Sequence, residues 1–330
     1  LRIAIAGAGT TGTYCYSLLK NEGCHVDLFD RPHTTACGIN PCAWGTSRGF
    51  FELVSAARLD PEKYVLQQFD SVLMDEVRIT GELMTIDKPA LIRDLMEGGS
   101  ANLAPLNIGD YDRVIDATGL ARTYLPPIQR DILLPCIQHR MQTEKPLENR
   151  IKLGGIGYAW CFPLGQHGYH FGCGSLAGHP KKLFKQLGWM GDGPSSPETK
   201  TLCSCSGKVR LTGPHDALPV VADGPKDGTW GVGEAIGCVA PLAGDGIVPG
   251  MRSVRLLLEN WDDPQGYTRA ILKEFEWMQK ERAVIDKLLQ RSPLGIKDAW
   301  VLRKNSRRMG MRVGLKEAFG FLKALKAMGR

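Results

Sequence analysis

The chain has 330 residues, room for two domains or for one large α/β domain with a second attached, and its 43% apolar and 23% charged residues are the balance of an ordinary globular protein. It has no apolar run of about 18 residues, which argues against a membrane-spanning helix, and its ten cysteines follow no short repeating framework, which favours reduced thiols over a disulfide scaffold. The formal charge of +6 is uneven: residues 301–330 carry nine Lys or Arg against one acid, Glu317, so the rest of the chain is net acidic.

The chain opens on a strand, a glycine turn, a helix and a second strand. Leu1 to Ala6 is an apolar run, Gly7-Ala-Gly9-Thr10-Thr11-Gly12 is a GxGxxG turn, Thr13 to Asn21 is helix-like, and His25 to Asp30 is a strand ending in an acid. Gly7 allows the tight turn, Gly9 lets backbone approach a pyrophosphate, and Gly12 lets helix and strand pack closely; the helix N-terminus offers free N–H groups to phosphate. Asp30, about 20 residues on, is placed to accept from an adenosine ribose. The unit predicts a dinucleotide but does not distinguish NAD from FAD. No basic segment and apolar stretch precede it, so the chain reads as cytoplasmic.

A Pro-, Cys- and Gly-rich loop covers Arg31 to Ser47, and Phe50 to Leu59 reads as a short helix. Short strands with a turn at Gly81 are expected over Tyr64–Asp87, then a helix over Lys88–Met96, then a strand from Tyr111 into the turn Asp116-Ala-Thr118-Gly119. Residues 124–215 are rich in strands and turns, with alternation at 128–141 and 170–175 and a loop at Asp192–Pro197. The α/β pattern returns at Thr229–Glu234, followed by Pro241-Leu-Ala-Gly244-Asp245-Gly246-Ile247 and a helix through Asn260. Tyr267–Leu289 reads as one long amphipathic helix, and the last 30 residues as helical and basic. The predicted domains are 1–123 with 216–260 for the cofactor, 124–215 as an antiparallel β substrate domain, and 261–330 as a helical basic segment. Cysteine spacings such as Cys203-Ser-Cys205 lack the paired CxxC of a metal site, so no structural metal is expected.

Three distant segments ask for one explanation: the N-terminal turn, Asp116–Gly119, and Gly233-Glu234 with Pro241–Ile247. A nicotinamide enzyme needs only the first, whereas an extended FAD needs backbone contacts from all three. The combination resembles the FAD-dependent oxidoreductases of para-hydroxybenzoate-hydroxylase-type fold, and specifically the geranylgeranyl reductase family. Gly233-Glu-Ala-Ile-Gly-Cys-Val-Ala-Pro-Leu-Ala-Gly-Asp-Gly-Ile247 matches that family's GDAxGxxxPxxGxGI segment, with Glu234 for the usual Asp. Tyr158-Ala-Trp160-Cys-Phe162-Pro163 resembles its YxWxFP signature. The three aromatics alternate and share one face of a strand, either lining a trough for an isoprenoid chain or packing as ordinary core.

The resemblance implies a Rossmann-like FAD domain with an inserted antiparallel-sheet domain and a helical C-terminal segment. It implies cofactor contacts at Gly7, Gly9, Thr10, Thr11, Gly12, Asp30, Arg31, Cys42, Ala43, Thr118, Gly119, Gly233, Glu234, Pro241, Gly244, Asp245, Gly246 and Ile247, with Gly244 and Gly246 opening a helix whose dipole faces the flavin ring. The family's loop cysteine near the flavin matches Cys42, with Cys37 as a competing alignment, and its role would be to give a proton to the alkene or to shape the pocket. Tyr158, Trp160 and Phe162 would hold substrate. The implied activity is saturation of isoprenoid double bonds, with ferredoxin or a reduced nicotinamide or deazaflavin as external electron donor. The signature also resembles the WxWxIP of flavin halogenases, which keeps a monooxygenase or halogenase open. A short span between Asp94 and Asp116, with Glu234, leaves open a non-catalytic or electron-transfer flavoprotein.

In the tail, Leu315, Ala318, Phe319, Leu322, Leu325 and Met328 make an apolar stripe beside the cations. That pattern is a solvated basic helix or a helix docking peripherally on the anionic inner face of a membrane. No nucleic-acid module accompanies the charge, so no nucleic-acid partner is expected.

Overall fold

The computed structural model describes residues 1–33, 35, 42–144, 146–166, 168–186, 199–224 and 226–327. The chain begins with β1 (Ile3–Ala6), buried along its whole length as a central parallel strand must be. Gly9 starts α1 (Thr10–Asn21), which turns Tyr14, Cys15, Leu18 and Leu19 inward, and β2 (Val26–Phe29) returns beside β1 in parallel register. Next come β3 (Gly45–Thr46), α2 (Gly49–Ala56), β4 (Val65–Met74), β5 (Val77–Ile86), α3 (Lys88–Leu95) and β6 (Arg113–Asp116). The Asp87 carboxylate caps α3 by accepting from Ala90 N–H, with Pro89 in the first turn. The middle of the chain supplies β7 (Leu133–Thr143), β8 (Arg150–Leu153), β9 (Gly157–Pro163), β10 (Gly168–Ser175), α4 (Pro180–Gln186), β11 (Thr199–Arg210), β12 (Val221–Ala222) and β13 (Thr229–Gly231). It ends in α5 (Ile247–Glu259), α6 (Pro264–Glu274), α7 (Glu276–Leu289), α8 (Ile296–Arg308) and α9 (Leu315–Ala327).

The described strands form two sheets. The smaller has the order β12-β13-β6-β1-β2, parallel except for β12 at its edge, with α1, α2, α5 and α6 packed against it in one core. The larger has the order β11-β7-β10-β9-β8-β4-β5-β3, antiparallel except where β4 meets β8. A second core lies between this sheet and α7, α8 and α9. The fold is α/β: a Rossmann-like domain, a large mainly antiparallel sheet and a helical C-terminal segment. Among the described residues no helix is long and apolar enough to cross a membrane.

Four expectations change. The strands at 45–86, expected with the N-terminal domain, are hydrogen-bonded into the large sheet through the β4–β8 pair, so strand pairing crosses the predicted boundary at residue 124. The β4–β5 turn lies at Asp75-Glu76 and not at Gly81. Gly81 sits inside β5 because the backbone of Gly310 and Met311 lies against it, and a Cβ there would be 2.8 Å from the Gly310 carbonyl oxygen. The single helix expected over Tyr267–Leu289 is broken at Phe275: Tyr267, Ile271, Phe275 and Met278 pack in the first core and Val284 and Leu288 in the second, which one straight helix does not satisfy. The apolar stripe of α9 is turned inward, with Ala318, Leu322 and Leu325 buried in the second core. Cys37, the 192–197 loop and Met328 lie outside the described residues.

Candidate active site

The glycine turn is built as its spacing requires. Gly7 has φ +104°, and a Cβ on it would lie 2.4 Å from the Ala117 carbonyl oxygen; one on Gly12 would lie 1.8 Å from the Gly7 oxygen. Around Gly9, by contrast, an added Cβ meets nothing within 4 Å, so the N-terminus of α1 faces open space. The Thr10 hydroxyl beside it is buried without a hydrogen-bond partner. This is the shape of a phosphate cradle. Thr11 packs against the third segment, because Cβ atoms on Gly233 and Gly250 would fall 2.7 and 2.3 Å from its hydroxyl. Asp30, just past β2, accepts from Arg31 N–H at 2.9 Å and lies 2.9 Å from His33 Nε2, while the Arg31 side chain is exposed.

The second and third segments meet through a residue the sequence reading missed. Arg210, at the end of β11, bonds Asp131 through Nε at 3.0 and 3.1 Å, the Gly119 and Glu234 carbonyls through Nη1 at 3.2 and 2.6 Å, and the Leu120 carbonyl through Nη2 at 2.9 Å. Glu234 Oε1 accepts from Arg210 N–H at 2.8 Å, and burial holds this carboxyl above its ordinary range. Glu234 thus braces the turn from inside, and Oε2 lies 3.3 Å from where a Cβ on Gly119 would sit. The Thr118 hydroxyl is engaged by Asp116 Oδ1 at 2.6 Å. Arg122 donates to the carbonyls of Pro126, Ala235 and Pro219, and burial lowers its pKa to about 10.

Pro241, Gly244, Asp245, Gly246 and Ile247 border a cavity of about 190 Å³ between the large sheet and α7–α9. Gly246 is the N-cap of α5, and Asp245 Oδ1 already accepts from the Ile247 N–H at 2.9 Å, so a carboxyl from the chain itself occupies part of the helix end expected to face a flavin. Burial pushes the Asp245 carboxyl up to about 6. Behind the segment, Glu281 of α7 is fully buried and accepts from Leu242 N–H at 3.3 Å, from Asn305 Nδ2 at 3.0 Å and from Arg308 Nη1 at 2.9 Å. Burial raises its pKa to about 7.

Cys42 and Ala43 reach the same cavity. The Cys42 thiol sulfur accepts from Trp44 N–H at 3.4 Å, and its carbonyl accepts from Gln138 Nε2 at 3.0 Å. The Ala43 carbonyl lies 3.2 Å from His170 Nδ1, and burial lowers His170 to about 4, so it is neutral at physiological pH. Trp44 packs edge-on to His170 with ring centroids 4.6 Å apart, and the Arg140 guanidinium lies 5.2 Å from the Trp44 ring. Gln138 Oε1 is buried without a partner, an acceptor left over next to Cys42. Gln138, Arg140 and His170 were not anticipated, although polar residues on the inward face of alternating strands are the signal that marks them.

The aromatic signature divides. Tyr158 and Phe162 line the cavity, and the Tyr158 hydroxyl donates to the Ala243 carbonyl, tying β9 to the 241–247 segment. Trp160 shares their face but lies outside the lining: its ring lies across Gly172 of β10, where a Cβ would fall 1.9 Å from it, and its Nε1 is buried without a partner. It wedges between Tyr158 and Phe162, at centroid distances of 5.6 and 6.4 Å. The rest of the wall is mostly apolar, including Phe69, Met74, Leu83, Ile151, Leu288, Met309 and Phe321.

No family model matches the chain. An uncharacterized protein of Methanocaldococcus jannaschii is 21% identical over 343 aligned positions, covering 87% of this chain and 90% of that protein. Among solved structures, a geranylgeranyl bacteriochlorophyll reductase-like protein from Thermoplasma acidophilum superposes with a TM-score of 0.70 at 16% identity, covering 99% of this chain and 96% of that one. A peptidyl tryptophan dihydroxylase, QhpG, gives 0.61 at 16% identity over 98% and 78% of the two chains. The flavin-dependent halogenase CmlS gives 0.62 at 13% identity over 99% and 70%. The chain has their fold. At such identities the shared fold carries the arrangement of the two sheets, and the chemistry has to be argued from this chain's own cavity.

Proposed function

We propose that the protein is an FAD-dependent oxidoreductase that saturates carbon–carbon double bonds of an isoprenoid lipid or lipid precursor. The observation that carries this reading is the apolar cavity whose wall joins Cys42, Tyr158 and Phe162 to the 241–247 segment. The residues present fit FAD: open space above Gly9 and the unpartnered Thr10 hydroxyl suit a pyrophosphate, and Asp30 suits a ribose. Arg210 draws the Gly119 and Glu234 carbonyls together where the extended middle would lie, and Ala43 with Pro241–Ile247, which line the cavity, would border the ring. Reduced FAD, when bound, supplies a hydride.

The remaining work belongs to the chain. An isolated alkene has no carbonyl to polarise it, so catalysis needs water excluded and the double bond aligned. The apolar wall does the first, and Tyr158 and Phe162, held by Trp160, do the second. Cys42, on the cavity lining, would donate the proton from Sγ, and the contacts from Gln138 and His170 to the backbone of Cys42 and Ala43 hold that stretch in place. Asp245 is a second acid on the same wall. Tyr158 is a poorer donor because burial pushes its phenol up and its proton is engaged by Ala243. The electron donor is ferredoxin or a reduced nicotinamide or deazaflavin.

The test is anaerobic: load the protein with FAD, reduce with dithionite and add a geranylgeranyl lipid. Flavin bands that return on lipid addition, with product heavier by two hydrogens per bond, support the proposal. The halogenase and dihydroxylase neighbours favour a second reading, an oxygen-using enzyme on the same fold, and a flavin that stays reduced until oxygen enters selects it. Failure to take up flavin at all removes both and leaves a binding protein.

A further inference from the structure

The burial of the α9 stripe raises the question of where the tail's charge is directed, and α8 answers it. Successive helical residues are offset by about 100°, which puts Ile296, Trp300, Arg303, Lys304 and Arg307 within about 100° of arc on one side of α8. This side faces solvent: Ile296 is 64% and Trp300 42% exposed, and Leu289, at the end of α7, is 39% exposed. The opposite side carries Leu302, Asn305, Ser306 and Met309 into the cavity wall. One helix therefore has lipid-like surroundings within and an apolar and cationic strip without. Among the described residues Lys297, Lys304 and Arg307 have no ion-pair partner, and the one acid of α8, Asp298, is buried and engaged by Lys287 and the Gly295 N–H. The Arg303 guanidinium lies 4.9 Å from the Trp300 ring centroid.

We propose that this face, Ile296 and Trp300 with Lys304 and Arg307, docks the protein on an anionic bilayer surface. A bilayer offers both partners the strip asks for: headgroup phosphates for the cations, and the boundary of the hydrocarbon for Ile296 and Trp300, the depth at which an indole ring settles. A second copy of the chain fits poorly, because a two-fold contact brings like charges together. A nucleic acid leaves the two large apolar side chains uncovered. Docking in this way sets the outer side of the cavity wall against the membrane. The proposal does not depend on the reaction proposed above, since it rests on the surface alone.

The experiment is co-sedimentation of the full chain with vesicles of phosphatidylcholine alone and of equal parts phosphatidylcholine and phosphatidylglycerol, at about 0.1 M and about 1 M salt. Binding to the mixed vesicles alone is expected, with release at high salt and a blue shift of tryptophan emission that is absent in W300F. Lys304→Gln with Arg307→Gln is expected to weaken binding about 25-fold, roughly a factor of five per cation. Ile296→Ser with Trp300→Ser is expected to weaken it about tenfold or more, with the thermal midpoint and flavin content of both pairs at parental values. No binding to the anionic vesicles overturns the proposal, as does binding that both variant pairs retain at parental strength. It is also overturned by a dimer in solution that the Ile296→Ser, Trp300→Ser pair dissolves, or by retention on nucleic acid without vesicle binding.

Discussion

Two acids on the cavity wall have different parts at the residue scale. The Cys42 carbonyl accepts from Gln138 and the Ala43 carbonyl lies against His170; under the proposed reaction, Cys42→Ala is expected to slow alkene reduction about 10²- to 10⁴-fold in single-turnover assays while leaving flavin content unchanged. Asp245 is different because its carboxyl sits at the end of α5 with burial raising its pKa to about 6 from an ordinary 3.8. The folded protein holds this proton more tightly than the unfolded chain, so the group's contribution favours folding below pH about 4 and is lost as pH rises through about 6. That change amounts to on the order of 2–3 kcal/mol. Asp245→Asn removes the titration but keeps an oxygen for Ile247, so the difference between variant and parent midpoints, measured from pH 4 to 7, should grow with pH in favour of the variant. A pH-independent difference would show that Asp245 does not titrate in that range.

At the scale of elements, the site is a set of turns held at fixed separation. Arg210 does this for the turns at 118–121 and 233–236 with a single guanidinium, and its removal strands Asp131 and the carbonyls of Gly119, Leu120 and Glu234. Arg210→Met is expected to destabilise by about 3–5 kcal/mol, as loss of one partner of a buried ion pair does, and to weaken flavin retention during gel filtration. On the other side of the cavity, β9 and β10 meet where the Trp160 ring fills the space above Gly172. Gly172→Ala forces that ring outward toward the trough; about 1–3 kcal/mol of stability should be lost, read from chemical denaturation, together with affinity for lipid. A Trp160→Phe variant in the same background should restore part of both. The break at Phe275 belongs here too, since it hands one run of helix from the first core to the second.

Taken whole, the molecule encloses its cavity between a sheet assembled from residues 45–210 and helices that arrive only after residue 276. Ser306→Trp, on the cavity side of α8, should lower binding of a geranylgeranyl lipid in a quenching titration. The turn at 7–12 was legible in the sequence because its constraint is local: Gly7, Gly9 and Gly12 answer to one turn and one helix end, and strand, turn, helix and acid follow within 30 residues. The alternation of Tyr158, Trp160 and Phe162 likewise placed them on one face. Tertiary structure alone decided that Trp160 packs on Gly172 while its neighbours face the cavity, since that depends on which strand lies alongside. It also decided that Arg210, Gln138, His170 and Glu281 belong to the site, because their partners lie 24 to 127 residues away or across a sheet. The α9 stripe shows the same limit: periodicity revealed an apolar face, but hydrophobic burial has no direction of its own, and only the packed sheet determined that the face turns inward and leaves α8 at the surface.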